Sequence, residues 1–534
     1  MEVPMSRLGH GEVSNRTAMA RARTTVAKTA KDAGLAIQTT DFGYLFPQLQ
    51  TDPANRLKPT PATVTALVEL GTRMTELAGE DVLPVGDGPI PAVFTYFGQF
   101  LDHDITLDTG SATIEQLANP NLVPLPNLNG LLNNRSATLD LDSVYGGLRD
   151  PVNVNKMAVG QVTPLNAPNR PTSPIPGKSK FNDLPRQPPS ADKNEDRAAI
   201  IGDPRNDENT IVAQLHTAFL KAHNSLVDEG MNFEDARRAL ILRYQNIVLK
   251  DFLPRICDPA IVASAIAKAP KYYGEAVATF MPLEFSVAAY RFGHSMVRTA
   301  YDFNLNFSPF SGPPVIPATL DLLFTFTALS GQLTPGNPVI PADGLPTLPE
   351  NWVIQWERLA EMGAQTPQMA RAIDARLTPL LFGLRDVLGR PADQGEASVN
   401  AKNIAPKLAV RNLLRGYLLG LPTGQAVARA LGLPPLEGAA LIAALPTASL
   451  KTAAEPFKSA SPLWFYILAE AGNPAGPNGK HLGAVGSHIV AETLVSLIRR
   501  SPISILGNSK DPDFGNVKLA DLLKLAARQD ATPA

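Results

Sequence analysis

FTYFGQFLDHDITLD, Phe94 to Asp108, is the stretch whose reading decides the fold. On a helix, side chains four apart share a face, so Gln99 and His103 point the same way, with Asp102 and Asp104 flanking the histidine at about 100° on either side. One short segment therefore joins a residue that exchanges a proton near neutral pH with two carboxylates able to hold a cation or form a bond. Taken alone, an HxD string reads more simply as a solvated helix end with a satisfied histidine. Its meaning depends on what the rest of the chain supplies.

The surroundings are those of a large helical body. The chain has 534 residues, 44% of them hydrophobic and 18% charged, which describes a globular protein with some long loops rather than a disordered one. Its 49 prolines are nearly double the ~5% average, so short helices and stiff connections are expected. A net charge of −2 gives no electrostatic footprint for nucleic acid, and no such partner is expected. The single cysteine, Cys257, excludes an intrachain disulfide and a multi-thiolate metal site. Residues 1–40 read as a flexible basic arm, with Arg7, Arg16, Arg21, Arg23, Lys28 and Lys31 but no apolar core of a Sec-type signal; the expectation is a cytoplasmic protein or one exported by a non-classical route. The most apolar run, Ala439 to Leu445, is far too short to span a bilayer.

Along the chain, helices are predicted over Thr63–Leu77, over the opening stretch, and from GDPRNDEN (Gly202–Asn209) onward, where Val212, Leu215, Phe219 and Leu226 form a stripe. His216 and His223 lie on that face about 10 Å apart by helix rise, too far for one ion, and read as structural. Further helices are predicted over Ala236–Leu253 (closed by Pro254), Phe285–Thr299, Trp352–Met362, Ile404–Leu419, Pro462–Ala471 and Ile489–Arg500. Asn119–Asn134, Thr163–Ser190 and Phe310–Pro349 read as long loops rich in proline. Strand patterns are few. The class is mainly α, with residues 41–534 as one catalytic body.

FGQFLDHDI, SATLDLDSVYGG, GDPRNDEN, AYRFGHSM and LAVRNLLRG, in that order, resemble the animal-type haem peroxidases, the peroxidase–cyclooxygenase superfamily, and SPLWFYILAEA with HLGAVGSHIVAETL resembles its bacterial members. The resemblance runs from about Phe42 to Leu506. It implies that family's helical fold and a haem held between two helices, with His103 above the iron and His294 below it as axial ligand. His103 would take a proton from the peroxide oxygen attacking iron and return it to the departing one, while Arg205 would stabilise the charge developing there. Gln99 would line the same pocket. Arg291 matches a family arginine near the haem propionates, and Asn412 the partner whose amide oxygen accepts from the proximal imidazole. Asp102 and Glu208 match the carboxylates that form ester bonds to haem. Asp104, Ser136, Thr138, Asp140 and Asp142 match a calcium site, Thr138 through its carbonyl.

Two departures narrow the expectation. Asn209 stands where a mammalian member carries the methionine of a sulfonium link, which puts chloride oxidation in doubt. Lipid-oxidising relatives place a radical tyrosine three residues before the proximal histidine; Arg291 fills that position, and Tyr290 is one step off. The expected function is a haem peroxidase responding to oxidative stress, using hydrogen peroxide to oxidise small phenols or amines, or iodide, bromide or thiocyanate. The rivals are a fatty-acid dioxygenase on the same scaffold and a calcium-dependent adhesion module without catalysis. A metal-dependent hydrolase would need a second, properly spaced histidine ligand.

Overall fold

A computed structural model describes residues 39–75, 86–108, 112–165, 174–190, 197–268, 270–274, 278–312, 315–324, 345–363, 365–381, 398–507 and 516–531. The basic arm lies outside them, as do parts of two of the proline-rich loops, 163–190 and 310–349. The helices that position the site are α1 (Pro61–Arg73), α2 (Val93–Ile105), α3 (Thr210–Asp228), α4 (Phe233–Ile247), α5 (Leu408–Leu418), α6 (Leu463–Gly472), α7 (Ala484–Arg500) and α8 (Leu519–Ala527). Strands are short and peripheral: β1 (Thr40–Gly43) pairs antiparallel with β2 (Leu132–Asn133) and parallel with β3 (Phe280–Pro282). The fold is mainly α.

Local chemistry explains where the helices begin. Thr60 caps α1 by accepting from the Thr63 N–H, and Pro61 occupies the first turn, where its missing donor is harmless. α2 lacks a side-chain cap; the N–H groups of Ala92 and Val93 donate instead to the carbonyls of Gln368 and Leu359. A distant loop thus anchors the organising helix at its first turn.

Aromatic packing fixes α2 against its neighbours. Phe100 stacks on Phe219 of α3 at 4.6 Å, while Phe97 meets Tyr244 of α4 and Phe252 edge-on at 6.1 and 5.4 Å. All five rings are buried. α1 approaches α5 so closely that a Cβ at Gly71 would come within 2.8 Å of the Val410 backbone. Only glycine fits there.

Four predicted helices take other forms. The 285–299 segment is a π-helical turn, Glu284–Ala288, followed by a 3-10 run, Ala289–Met296. That change of pitch redirects the side chains before His294. Pro254 does not close its helix: α4 passes through a π turn (Val248–Phe252) into Leu253–Ile256, with Pro254 in the first turn, where a proline is tolerated. Trp352–Met362 forms only two 3-10 turns, Glu350–Trp352 and Trp356–Arg358, and Ile404–Leu419 is interrupted between Val399–Ile404 and α5.

Glu284, at the start of the π turn, accepts from the Leu45 and Phe46 N–H groups at 2.8 and 3.1 Å and so ties the segment after β1 to the segment bearing His294. Burial raises its carboxyl from 4.5 to about 7, against the lowering effect of those bonds. A folded-state value above the unfolded one means that its stabilising contribution is complete below pH 4.5 and is lost as pH rises through about 7. Denaturant titrations of wild type and Glu284→Gln across that window should therefore differ by a margin that shrinks, from the wild-type side, with rising pH; a constant margin would refute the assignment.

Candidate functional site

A cavity lies between α2 and the turns that carry His294. Gln99 and Asp102 line it from α2, and Tyr290, Arg291 and His294 from the opposite side. Four of the residues named from sequence therefore meet in one space. Tyr290 joins them, contrary to the expectation that it sits off to one side: the π-to-3-10 transition turns its ring inward. Its hydroxyl is buried without a hydrogen-bond partner.

Behind Gln99 and Asp102 lies a buried polar layer. His103 is fully buried, not at a solvated helix end, and its Nδ1 lies 2.9 Å from Asn206 Oδ1. Arg205 donates to Asp203 through Nε and Nη2, and through Nη2 also to the carbonyls of His103 (3.0 Å) and Thr106 (2.6 Å). Its Nη1 is buried and has no hydrogen-bond partner among the described residues. Glu208 accepts from Gln99 Nε2 at 3.2 Å, and Asn209 Nδ2 donates to Gln99 Oε1 at 3.1 Å, so both ends of that amide are engaged. Neither His103, Arg205 nor Glu208 lines the cavity itself.

Asp102 is buried with its oxygen accepting from Thr106 at 2.8 Å. Burial raises its carboxyl, while the guanidiniums of Arg205 and Arg291 pull the other way. Asp203 is the opposite case. Burial would raise it, but Arg135 and Arg205 hold it well below the usual carboxylate range.

On the far side, Asn412 of α5 joins His294 to Arg291. Arg291 Nη1 donates to Asn412 Oδ1 at 2.8 Å, and Asn412 Nδ2 lies 2.9 Å from His294 Nδ1. This corrects the expectation that the amide oxygen faces the imidazole. A guanidinium can only donate, so it claims the oxygen and leaves the NH2 end for the histidine. In this arrangement His294 Nδ1 is the acceptor and its proton sits on Nε2. Trp464 of α6 packs edge-on to the same ring at 6.2 Å.

The acidic loop folds under α2. Asp104, Asp140 and Asp142 bring carboxylate oxygens within 4.8 Å of one another. Thr138 Oγ1 donates to Asp140 at 2.8 Å, and the Ser136 hydroxyl lies 2.8 Å from Thr138 Oγ1 and 3.3 Å from the same carboxylate, so both hydroxyls are turned toward Asp140. Burial and mutual repulsion raise Asp104 strongly, and burial raises Asp142 to about 7 although Arg135 opposes it. Ala137 and Leu141 take left-handed backbone conformations with φ of 52° and 56°, unusual for residues with side chains. Gly202 seats the turn before Arg205 on this loop; a Cβ there would lie 2.4 Å from the Asp142 carbonyl.

Sequence reasoning missed Asn206 and Asp203, and read Asn209 only for the sulfonium link it lacks. Each is short and polar and acts through a contact between segments, so spacing along the chain could not reveal it. The one available clue was the position of Asp203 and Asn209 just before helical turns, where both do serve as N-caps.

Residues 115–320 match the family model described as animal haem peroxidase. Three curated relatives are similar over shorter stretches. A peroxidase-like protein from Margaritifera margaritifera is 30% identical over 270 residues, 39% of this chain and 32% of the relative. Chorion peroxidase from Aedes aegypti is 30% identical over 123 residues, covering 20% and 16%, and human thyroid peroxidase is 31% identical over 108, covering 18% and 12%. The matches thus span a third or less of these relatives' lengths. Among solved structures, peroxidase A from Dictyostelium discoideum aligns with a TM-score of 0.52 at 17% identity over 88% of this chain and 90% of that one. Fatty acid alpha-dioxygenase from Oryza sativa aligns with a TM-score of 0.50 at 13% identity, covering 89% and 78%. Both establish likeness of fold.

Asn209 carries two duties, accepting from the Val212 N–H at 3.0 Å as N-cap of α3 and holding Gln99. Asn209→Ala should lower unfolding free energy by ~1 kcal/mol or more, while Asn209→Ser, which keeps the cap, should recover most of that. Equal losses in both, measured by urea denaturation, would mean that the cap contributes nothing.

Proposed function

Because the chain belongs to the animal-type haem peroxidases, we propose that it is a haem-dependent peroxidase that reduces hydrogen peroxide and oxidises small phenols, amines, iodide, bromide or thiocyanate. The observation that carries this reading is the cavity between α2 and the His294 segment, walled by Gln99 and Asp102 on one side and by Arg291 and His294 on the other.

The residues present suit the cofactor. An imidazole for the iron, a cation for its propionates and an acid for an ester all border one space, and the buried Nη1 of Arg205 is a donor awaiting an anion. His294 would hold the iron, Arg291 would bind the propionates, and Asp102 and Glu208 would form the esters, Asp102 directly from the cavity wall. Bound haem would supply the redox chemistry, accepting oxidising equivalents from peroxide and passing them to the reductant.

The protein's part is protonic and electrostatic. With Nδ1 bonded to Asn206 Oδ1, His103 keeps a basic lone pair on Nε2, able to take the proton from the incoming peroxide oxygen and return it to the leaving one. Arg205, clamped by Asp203 and two carbonyls, stays cationic and rigid, so no reorganisation is needed when negative charge develops. To hold the iron, His294 would carry its proton on Nδ1, and Asn412 would turn its oxygen toward the ring and away from its present bond to Arg291. Glu208 and Asn209 hold Gln99 facing the pocket, where it can position water or a halide.

The acidic loop is read as a calcium site of Asp104, Asp140 and Asp142, with Ser136 and Thr138 beside them; three carboxylates this close, with Asp104 fully buried, suit a hard cation. The ion pair from Arg135 to Asp142 at 2.8 Å occupies one oxygen and offsets the extra affinity expected of that aspartate. A second functional reading, a fatty-acid dioxygenase, draws on Tyr290, whose unpartnered hydroxyl borders the cavity. Oxygen uptake with a fatty acid and no peroxide would favour it. Residues 41–534 are read as one catalytic body, since the residues from Gln99 to Asn412 converge on one cofactor.

Three measurements test these assignments. Purified holoprotein should give a Soret band that shifts transiently with stoichiometric peroxide, His103→Ala should lose the shift almost wholly, and acidified organic extraction should leave haem on the polypeptide. A colourless protein after growth with ample iron and haem precursor would end the reading, and complete release of haem would end the ester assignment. Chelation should lower the melting temperature, with recovery by calcium rather than magnesium and no such response in Asp140→Asn; a melting temperature indifferent to chelation would remove the ion.

A further inference from the structure

We propose that His216, acting through the Asn206 amide, is the positioning residue that fixes the tautomer of His103. The proposal rests on the reading of His103 as the proton carrier for peroxide.

The three side chains form one buried row. His103 Nδ1 lies 2.9 Å from Asn206 Oδ1, and Asn206 Nδ2 lies 3.0 Å from His216 Nδ1. All three residues are fully buried. A carboxamide has an accepting end and a donating end, so the two imidazoles cannot choose their tautomers independently. With Oδ1 toward His103, that ring carries its proton on Nδ1 and a lone pair on Nε2, while His216 must present a lone pair at Nδ1. If the amide turned over, both tautomers would reverse. His103 would then present an N–H on Nε2 and could accept nothing there.

The sense of the row follows which nitrogen of His216 bears the proton, and with Asn206 Nδ2 facing the ring that nitrogen is Nε2, leaving Nδ1 to accept. Nε2 of His216 makes no hydrogen bond, so Asn206 is the ring's hydrogen-bonding partner among the described residues. The ring packs edge-on against Phe100 at 6.0 Å. Burial lowers its pKa to about 3, with Asp203 opposing, so it stays neutral and never becomes a donor at both nitrogens. Asn206 itself is pinned in the 3-10 turn Pro204–Asp207, its N–H donating to the Asp203 carbonyl at 3.0 Å. His216 and His223, seven residues apart on α3, thus have different work: His223 bonds Tyr145 and the Asn155 carbonyl, away from this row.

The test uses the full chain, ¹⁵N-labelled at histidine, with the ring tautomer read from two-bond nitrogen–proton spectra and His103 assigned by its loss in His103→Gln. Wild type should show His103 protonated on Nδ1 and His216 on Nε2. His216→Phe should mix the tautomers of His103. In holoprotein it should slow the bimolecular reaction with peroxide at least about tenfold, within the ~10²–10⁴-fold that a positioned proton carrier contributes, with haem retention unchanged. Asn206→Asp, which only accepts, should keep the His103 tautomer and reverse that of His216, a result readable even if His216→Phe fails to fold. Combining the two substitutions should restore much of the rate that His216→Phe loses. An unchanged His103 tautomer and rate in His216→Phe, or an unreversed His216 in Asn206→Asp, would reduce His216 to packing. If wild type does not react with peroxide, the peroxidase reading fails while the spectra still decide the tautomer.

Discussion

Asp203 is the buried charge on which the arrangement depends. It takes guanidinium donors from both Arg135 and Arg205, and Arg135 also reaches Asp142 in the acidic loop. Through these bonds the loop below α2, the turn before α3 and the end of α2 become one unit. Removing one partner from such a buried cluster leaves an uncompensated charge, a cost of ~3–5 kcal/mol. The geometry of Arg205 is therefore maintained by the same interaction that keeps the fold together around it. Gly202, which has no room for a side chain against the Asp142 carbonyl, serves the same closure by packing alone.

Two asparagine amides sit at corresponding places on either side of the cavity and face their histidines in opposite senses. Asn206 turns its oxygen toward His103, whereas Asn412 turns its nitrogen toward His294. The difference follows from the third member of each row. His216 accepts through Nδ1 from the donor end of Asn206, whereas Arg291, which can only donate, takes the acceptor end of Asn412. The first arrangement already suits a proton acceptor. The second ties the orientation of Asn412 to the position of Arg291.

Much of this was legible in the sequence where chemistry lay in a contiguous string. The HxD stretch, GDPRNDEN and AYRFGHSM each carry their functional residues within a turn or two, and Gln99, Asp102, Arg291 and His294 do meet in one cavity. The orientation of Asn412 was not legible, because it is decided by Arg291 from a segment 121 residues away. The inward turn of Tyr290 was hidden by assuming helical pitch where the backbone passes from π to 3-10 geometry. His216 was weighed only against His223 as a paired metal ligand, a comparison that used helix rise alone. It could not find Asn206, whose contact with His216 depends on how the turn before α3 folds back.

The site is assembled largely from groups that end helices. Arg205 donates to the carbonyls of His103 and Thr106, which lie at the last turn of α2, where a cation also offsets the helix dipole. Asn209 starts α3 and holds Gln99, and Asp203 caps the 3-10 turn that bears Arg205 and Asn206. Helix ends offer donors and acceptors that regular structure leaves unused, so a pocket placed there needs few residues devoted to chemistry alone. The same economy makes substitutions hard to interpret from activity alone, since a residue lost to the reaction is also lost to a cap. A change in the tautomer of a buried ring separates the two, because a missing cap shifts stability without choosing which nitrogen bears the proton.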